Sequence, residues 1–164
     1  MASEKPWCRS RNKICSIIGR PSNRASGFGV SPLTTDEIID DGLRVAARHG
    51  NAIASDPMTL CTCVKDDEEG STQPILRETL MGFANPWTFR FGELCTAYET
   101  ARDQGMLDGL EPHTTSLYFA LGKRIWFSKS ATTNIKITTP EDLDIFEGYL
   151  LLQRKRQAEQ EAAQ

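Results

Sequence analysis

The sequence lacks the features that mark several large classes of protein. Its apolar runs stay short of the roughly 20 residues that a membrane-spanning helix needs, and residues 1–20 contain no apolar core of the signal-peptide type. Neither sign of charge is in large excess, since 19 lysines and arginines stand against 22 aspartates and glutamates. This balance argues against a general nucleic-acid binder, which normally carries a basic patch. We therefore expect no membrane and no nucleic-acid partner.

Metal-binding patterns are also scarce. The closest pair of cysteines is Cys61 and Cys63, and neither a histidine nor a third cysteine lies nearby at ligand spacing. The odd total of five cysteines favours reduced thiols over a disulfide framework. The acidic run at 66–70 lacks the alternating spacing of a calcium loop, so a solvated turn is the simpler interpretation. The residues themselves predict no metal ligand.

The 164 residues suffice for one domain with a core. Residues 1–33 are rich in Arg, Lys, Ser, Gly and Pro and show no sustained period, which predicts an irregular or disordered segment. The run Gly27-Phe-Gly29 has no preceding strand and no following Gly-Lys-Ser/Thr. It is therefore expected to be a loop and not a phosphate-binding turn.

Regular periodicity begins at Thr34. Thr34 with Glu37 predicts a capping box for a helix over 36–49, which Gly50 ends. A buried strand at 52–54 then leads into Pro57. Strands at 58–65 and around 75–76 flank the acidic turn and predict a hairpin-like arm at about 57–85.

Further helices and strands alternate beyond the arm. Helices are predicted over 91–104 and 114–121, with a strand at 125–127. A polar helical tail is predicted over 153–164. Because strands alternate with helices, the fold class predicted is α/β, a partial Rossmann-like sheet with a β-hairpin dimerisation arm.

The most informative segment is Asn134-Ile-Lys-Ile-Thr-Thr-Pro-Glu-Asp-Leu143. It predicts a short strand that runs into a capped helix, with Thr139 as the N-cap and Asp142 completing a capping box. Ile135 and Ile137 alternate with Lys136, so buried isoleucines would turn the lysine to the opposite face. Two interpretations stay open at this point, a lysine placed to meet a phosphate and an ordinary surface lysine.

Three blocks in unbroken order resemble one known family. They are Asn134-Ile-Lys-Ile-Thr-Thr-Pro-Glu-Asp-Leu143, then Arg77-Glu-Thr-Leu80 with Ala84-Asn-Pro-Trp-Thr-Phe89, and the predicted helix that leads through Ala52-Ile-Ala54 to Pro57. The order is similar to that of the 2-C-methyl-D-erythritol 4-phosphate cytidylyltransferases and their ribitol-phosphate cytidylyltransferase relatives. The resemblance covers residues 30–152, and it identifies residues 34–152 as the C-terminal part of such a domain.

The resemblance implies a reaction and three site residues. These enzymes use CTP, a sugar-alcohol phosphate and Mg²⁺, and they form a CDP-alcohol and pyrophosphate by in-line attack on the α-phosphate. Lys136 matches a catalytic, phosphate-contacting cation. Arg77 matches an arm arginine that binds the acceptor phosphate in the partner's site, which implies a homodimer or heterodimer through the arm. Asn85 stands at a substrate-binding position and retains the ability to form hydrogen bonds.

The sequence also departs from the family pattern. The glycine-rich loop that cradles the triphosphate is not recognisable before Ser31, and 25–32 replaces the family's acidic-and-arginine loop. Trp87 stands where the family has an amide. His113 is either a polar substitute or an ordinary loop histidine, and His49 is interpreted as a partner of the helix dipole.

These departures leave three hypotheses. The chain is a cytidylyltransferase of isoprenoid precursor synthesis that is truncated and weak or inactive alone, a non-catalytic dimer-partner module, or a fragment without an independent fold. Ribitol 5-phosphate is the alternative substrate within the first hypothesis. The resemblance implies a cytoplasmic or plastid stromal location.

Overall fold

A mixed β-sheet flanked by helices organises the chain. The computed structural model describes residues 14–17, 31–111 and 113–163. Helices α1 to α4 span Asp36–His49, Phe91–Asp103, Thr114–Ala120 and Pro140–Ala162. Strands β1 to β6 span Ile14–Ile17, Asn51–Pro57, Thr62–Val64, Gln73–Ile75, Met81–Arg90 and Phe127–Ser128. A 3₁₀ helix covers Arg77–Thr79.

The sheet has the strand order β1-β5-β2-β6 among the described residues. Strand β5 pairs antiparallel with both β1 and β2, whereas β6 pairs parallel with β2. Strands β3 and β4 form a separate hairpin, which together with the 3₁₀ helix makes up the arm, residues 58–80. Along the chain, the arm connects β2 to β5, the two long strands that pair at the centre of the sheet.

The core lies where α2 and α3 pack on the sheet. Phe89 of β5 is fully buried, and its ring centroid lies 5.0 Å from that of Tyr118 on α3. Ala97 and Ala101 are fully buried as well, which lets α2 lie close to the strands. The core cluster consists of Ile53, Phe89, Leu94, Ala97, Ala101, Leu117, Tyr118 and Ile125.

Helix α1 covers the other side of the sheet. A Cβ at Gly42 would lie 3.3 Å from Thr88 Oγ1 of β5, so this glycine permits a close approach of helix and strand. The helix ends at Gly50, which has φ 92° and donates its N–H to the Ala46 carbonyl. The predicted stop at Gly50 is confirmed. The predicted cap is displaced by one residue, because Thr35, and not Thr34, accepts the Ile38 N–H.

Three predicted strands differ from the structure. The segment 134–138 forms no strand, because its backbone does not pair with the sheet. Its alternation nevertheless holds, with Ile135 and Ile137 half-buried and Lys136 exposed. The strand expected at 125–127 is the shorter β6, and the strand expected at 58–65 is reduced to β3.

The N-terminal prediction is partly corrected. Within the segment expected to be irregular, Ile14–Ile17 forms β1 and pairs with β5 from Trp87 to Arg90. Strand formation here follows from the open backbone groups that the edge of β5 offers to a partner. The loop predicted at Gly27-Phe-Gly29 lies outside the described residues.

Helix α4 begins as predicted and continues into the polar tail. Thr139 is its N-cap, Pro140 opens the helix, and the reciprocal bonds of a capping box with Asp142 are present. No residue of α4 is buried, although Leu143, Ile145, Leu151 and Leu152 are apolar. Neither α4 nor any other described helix is long and apolar enough to cross a membrane.

Candidate functional site

The three residues singled out from the sequence lie in different elements. Asn85 is in the middle of β5, Lys136 is in the loop between β6 and α4, and Arg77 opens the 3₁₀ helix of the arm. The structure brings the first two segments together and leaves the third apart.

Asn85 and the Lys136 loop are joined by a direct hydrogen bond. Asn134, two residues before Lys136, donates its side-chain Nδ2 to the Asn85 carbonyl at 2.5 Å. Asn134 is 5% exposed and Asn85 is half-buried, so the bond is partly shielded from water. Because two residues span at most about 7 Å of chain, Lys136 is held near β5.

The same bond belongs to a closed circuit of four residues, Ser31, Thr34, Asn85 and Asn134, in which two of the acceptors are main-chain carbonyls. Asn85 Nδ2 donates to Ser31 Oγ at 2.9 Å, and the Thr34 hydroxyl lies 2.9 Å from both the Ser31 carbonyl and Asn134 Oδ1. Ser31 is fully buried. The circuit ties the loop before α1, strand β5 and the Lys136 loop to one another.

The far end of the Lys136 loop is held by Asp142. One carboxylate oxygen of Asp142 accepts from the Thr138 N–H at 2.8 Å, the Thr138 hydroxyl at 2.8 Å and the Thr139 N–H at 2.9 Å. These bonds, led by that of the Thr138 N–H, hold the pKa of Asp142 below its usual range. Lys136 therefore lies in a short loop that is fixed at both ends.

A second set of bonds fixes the start of this connection to α1. Asp41 accepts the Lys129 N–H at 2.8 Å and pairs with Arg44, while the Lys129 ammonium pairs with Glu37. The Lys129 N–H is the main cause, ahead of Arg44, that keeps the pKa of Asp41 low. The segment after β6 is thus attached to α1 before it reaches the circuit.

Arg77 lies in a more open environment. Its Nη1 donates to the Thr59 carbonyl at 3.2 Å, and its side chain is exposed. It lines a shallow groove of about 490 Å³ with Pro57, Met58, Thr59, Glu78, Leu80 and Met81. Within 31–111 and 113–163, no hydrogen bond joins Arg77 to Asn85 or Lys136.

The two histidines lie away from this circuit. His113 is 3.5 Å from a Glu111 carboxylate oxygen, and its ring is 5.8 Å from that of Trp87. His49 stands in the last turn of α1, as expected of a dipole partner, and it also stacks on Trp126 at 3.8 Å. This aromatic contact was not foreseen from the sequence.

The part of the chain that the structure describes contains no group of three or more His, Cys, Asp or Glu side chains arranged to hold a metal ion. Cys61 and Cys63 are exposed on the arm. The described side chains therefore do not fit a metal centre whose ligands all come from the protein.

Comparison with known proteins identifies relatives of one kind. The chain is 31% identical over 124 residues to ribitol-5-phosphate cytidylyltransferase of Lacticaseibacillus paracasei, a match that covers 74% of this chain and 52% of the relative. It is 31% identical over 128 residues to 2-C-methyl-D-erythritol 4-phosphate cytidylyltransferase of Bacillus thuringiensis, covering 77% and 54%. The chain is a homologue of these cytidylyltransferases. No family model matches it.

Solved structures support the same assignment of the fold. The chain aligns with 2-C-methyl-D-erythritol 4-phosphate cytidylyltransferase from Thermus thermophilus at a TM-score of 0.63 and 24% identity, covering 74% of this chain and 58% of that one. It aligns with 4-diphosphocytidyl-2C-methyl-D-erythritol synthase from Anaerococcus prevotii at 0.65 and 18%, covering 75% and 56%. The predicted α/β, Rossmann-like fold class is confirmed.

The homologue spans about half the length of the curated relatives that it matches. Sequence reasoning missed the part that Ser31, Thr34 and Asn134 play in the circuit. Three of the four bonds of the circuit join residues that lie 49 to 100 positions apart along the chain. The sequence shows a polar residue, Asn134, at the start of the most informative segment. It does not show which residues Asn134 bonds in the folded chain.

Proposed function

We propose that this chain forms part of a site that transfers CMP from CTP to a sugar-alcohol phosphate. Lys136 is the cation that contacts phosphate, and Asn85 is a hydrogen-bonding residue for substrate. The observation that carries the proposal is the 2.5 Å bond from Asn134 Nδ2 to the Asn85 carbonyl, which holds these two segments together. The similarity to two kinds of cytidylyltransferase supplies the reaction class.

The surroundings of Lys136 suit this role. Among the described residues it forms no ion pair, so its positive charge remains available to an anion. Half-buried Ile135 and Ile137 anchor the loop on either side of it. The acceptor phosphate attacks the α-phosphate in line, so a fixed cation that binds the acceptor phosphate also lies beside the negative charge that develops and neutralises it without reorganising.

Asn85 has spare donor capacity for substrate. Its Nδ2 carries two protons, and Ser31 Oγ takes one of them. The second proton suits a phosphate or hydroxyl oxygen. Because the circuit fixes the direction of the amide, the donor is oriented before substrate binds.

Relatives of this class generally use a divalent metal, and the reaction implies Mg²⁺ with the triphosphate. The described side chains do not fit a metal cage. Mg²⁺ is commonly held by substrate phosphates, water and one or two carboxylates. We therefore assign no metal ligand and derive no step through a metal.

The arm carries the dimer proposal. Arg77 is exposed and has a single hydrogen bond to the Thr59 carbonyl, which leaves most of its guanidinium free to meet another molecule. We propose that it binds the acceptor phosphate in the site of a partner subunit. A bidentate guanidinium is well suited to phosphate.

The acceptor is a sugar-alcohol phosphate, and the two names carried by the relatives define the candidates. We propose 2-C-methyl-D-erythritol 4-phosphate first and ribitol 5-phosphate as the alternative, in a cytoplasmic or stromal compartment. Turnover of each acceptor with CTP separates the two.

Pyrophosphate release from CTP, acceptor and Mg²⁺, together with calorimetric binding of each acceptor, tests the proposal. Lys136→Met should weaken acceptor binding by on the order of ten-fold or more, because one charge-assisted contact is lost. The matched control is Lys155→Met, which removes an exposed lysine of the helical tail whose nearest carboxylate is 3.9 Å away. Equal binding by both variants would overturn the role of Lys136.

A dimer-partner module is the second candidate. It is favoured by the exposed arm, on which Arg77 has one hydrogen bond. Acceptor binding without pyrophosphate release would support it. Size-exclusion chromatography with a full-length homologue should then show a heterodimer that deletion of residues 58–80 abolishes, and a chain that always elutes alone would contradict this candidate.

A further inference from the structure

The strongest feature that the proposed function leaves unexplained is the Asn134 side chain. Both ends of its amide are bonded, Nδ2 to the Asn85 carbonyl and Oδ1 to the Thr34 hydroxyl. The residue is 5% exposed and touches two segments that are distant in sequence. A buried amide satisfied at both ends is expensive to disturb, because each lost bond leaves a buried polar atom unpaired.

We propose that Asn134 is the positioning residue that presents Lys136 and Asn85 together to the phosphate of the acceptor. This inference rests on the proposed function. Asn134 does not touch substrate in this proposal. It acts by fixing the Lys136 loop against β5, while the Thr34 hydroxyl fixes Asn134 in turn.

The geometry of the circuit explains why one residue has this effect. Asn134 reaches β5 at the same residue whose amide donates to Ser31 Oγ. A change at Asn134 therefore alters both the path of the Lys136 loop and the support of the Asn85 backbone. The other end of the loop is held independently by Asp142, so the loop should pivot and not unfold.

The chain contains a matched control. Asn51 is 4% exposed, donates its Nδ2 to the Arg124 carbonyl at 3.0 Å, and accepts the Trp126 N–H at 3.0 Å. It is therefore equally buried and equally bonded, and it also joins distant segments. Its segments do not carry Lys136 or Asn85.

The first experiment compares Asn134→Asp with Asn51→Asp. Each substitution keeps the shape and the accepting oxygen but replaces the donor by an oxygen that faces a carbonyl. Asn134→Asp should weaken calorimetric binding of the sugar-alcohol phosphate by roughly ten-fold in the folded protein. Asn51→Asp should lower the midpoint of thermal unfolding and leave that affinity within two-fold. Equal losses of affinity would overturn the proposal, since they would indicate a general structural effect.

A double-mutant cycle tests whether the effect passes through Lys136. In the Lys136→Met background, Asn134→Asp should cause a clearly smaller loss of affinity than in the unmodified chain, because one of the two groups that it positions is already absent. Fully additive losses would contradict a positioning role. Thr34→Val, which removes the hydroxyl donor while keeping the shape, should produce a smaller loss in the same direction.

A measurement without ligand separates this inference from the proposed function. In ¹H–¹⁵N spectra of the free chain, Asn134→Asp should shift the amides of Ile135, Lys136 and Ile137 and speed their hydrogen exchange, whereas Asn51→Asp should not. If these amides do not respond, the positioning role is wrong even when acceptor binds. If they respond but Lys136→Met does not affect acceptor binding, the proposed function fails and the structural coupling stands.

Discussion

The sheet and the arm hold their candidate residues in opposite ways. Asn85 lies on a central strand, and its backbone and side chain both belong to a partly buried circuit that reaches the Lys136 loop. Arg77 lies on an exposed 3₁₀ helix and has one bond to a neighbouring carbonyl. The first arrangement suits a group that must be oriented before binding, and the second suits a group that adapts to another molecule.

Apolar side chains of the sheet and of the arm show the same contrast. Phe89 is fully buried against Tyr118, whereas Leu60 of the arm is 70% exposed. Phe89→Ala should lower the free energy of unfolding by about 3–5 kcal/mol, because it removes a large buried ring and leaves a cavity. Leu60→Ala should change it by about 0.5 kcal/mol or less. Urea unfolding of both variants checks this, and comparable losses would show that the arm is part of the cooperative core.

Two glycines sharpen the comparison on a smaller scale. Gly50, between α1 and β2, has φ 92°, and a Cβ there would clash with Oε2 of Glu93, whose other oxygen, Oε1, pairs with Arg90. Gly50→Ala should therefore cost about 2 kcal/mol of unfolding free energy. Gly70, in the arm hairpin, has open space at its Cβ position, so Gly70→Ala should be nearly neutral. Thermal melts distinguish the two, and a neutral Gly50→Ala would contradict the close packing at this turn.

The helix caps extend the comparison to α4. Thr35→Ala should cost about 1 kcal/mol of global unfolding free energy, because α1 packs on the sheet. Thr139→Ala should instead loosen the start of α4 and leave the global midpoint nearly unchanged, because α4 buries no residue. Hydrogen exchange of the first α4 amides measures the local effect, and an equal drop in both global midpoints would disprove the independence of α4.

The cap of α4 should also respond to acid. The pKa of Asp142 is lower in the folded state than its ordinary value, so its stabilising bonds are fully present above the unfolded pKa, near 4, and are lost as the pH falls through the folded pKa. Below the folded pKa of Asp142, the backbone amide hydrogens in the first turn of α4 should therefore exchange faster relative to amide hydrogens elsewhere in the chain. Asp142→Asn should abolish the pH dependence, and a persistent dependence would assign it to another group.

The smallest effect is expected in the arm. Arg77→Met should change the free energy of unfolding by about 0.5 kcal/mol or less, since the side chain is exposed and has one hydrogen bond. If Arg77 binds the acceptor in the partner's site, the Arg77→Met variant should bind the acceptor more weakly than the unmodified chain only at concentrations where the chain is dimeric. Binding measured over a dilution series checks this, and a loss that is the same at all concentrations would place Arg77 in its own subunit's site.

Much of the local structure could be predicted from the sequence. The helices at 36–49 and 140–162, the glycine stop at Gly50 and the cap at Thr139 depend on neighbouring residues, so their signals lie within a few positions. The strand predicted at Asn134-Ile-Lys-Ile was wrong for a related reason. Alternation of buried and exposed residues predicts an extended segment, but a strand also needs a partner backbone, which local pattern does not reveal.

The cap of α1 shows a similar limit. Thr34 and Thr35 are both good capping residues, and the sequence favoured Thr34 because of Glu37. In the structure the single proton of the Thr34 hydroxyl is shared between the Ser31 carbonyl and Asn134 Oδ1, and Thr35 caps the helix. A contact 100 residues away thus decided between two adjacent threonines.

By itself, the sequence determined the helices after residue 34, the stop at Gly50, the cap at Thr139, the exposure of Lys136 and the resemblance to cytidylyltransferases, because these follow from short-range pattern and from ordered blocks. Only the tertiary structure decided that Asn85 and the Lys136 loop are joined through Asn134, and that Arg77 stands apart on the arm. The physical reason is that buried polar groups must find partners, and the folded chain supplies those partners from distant segments.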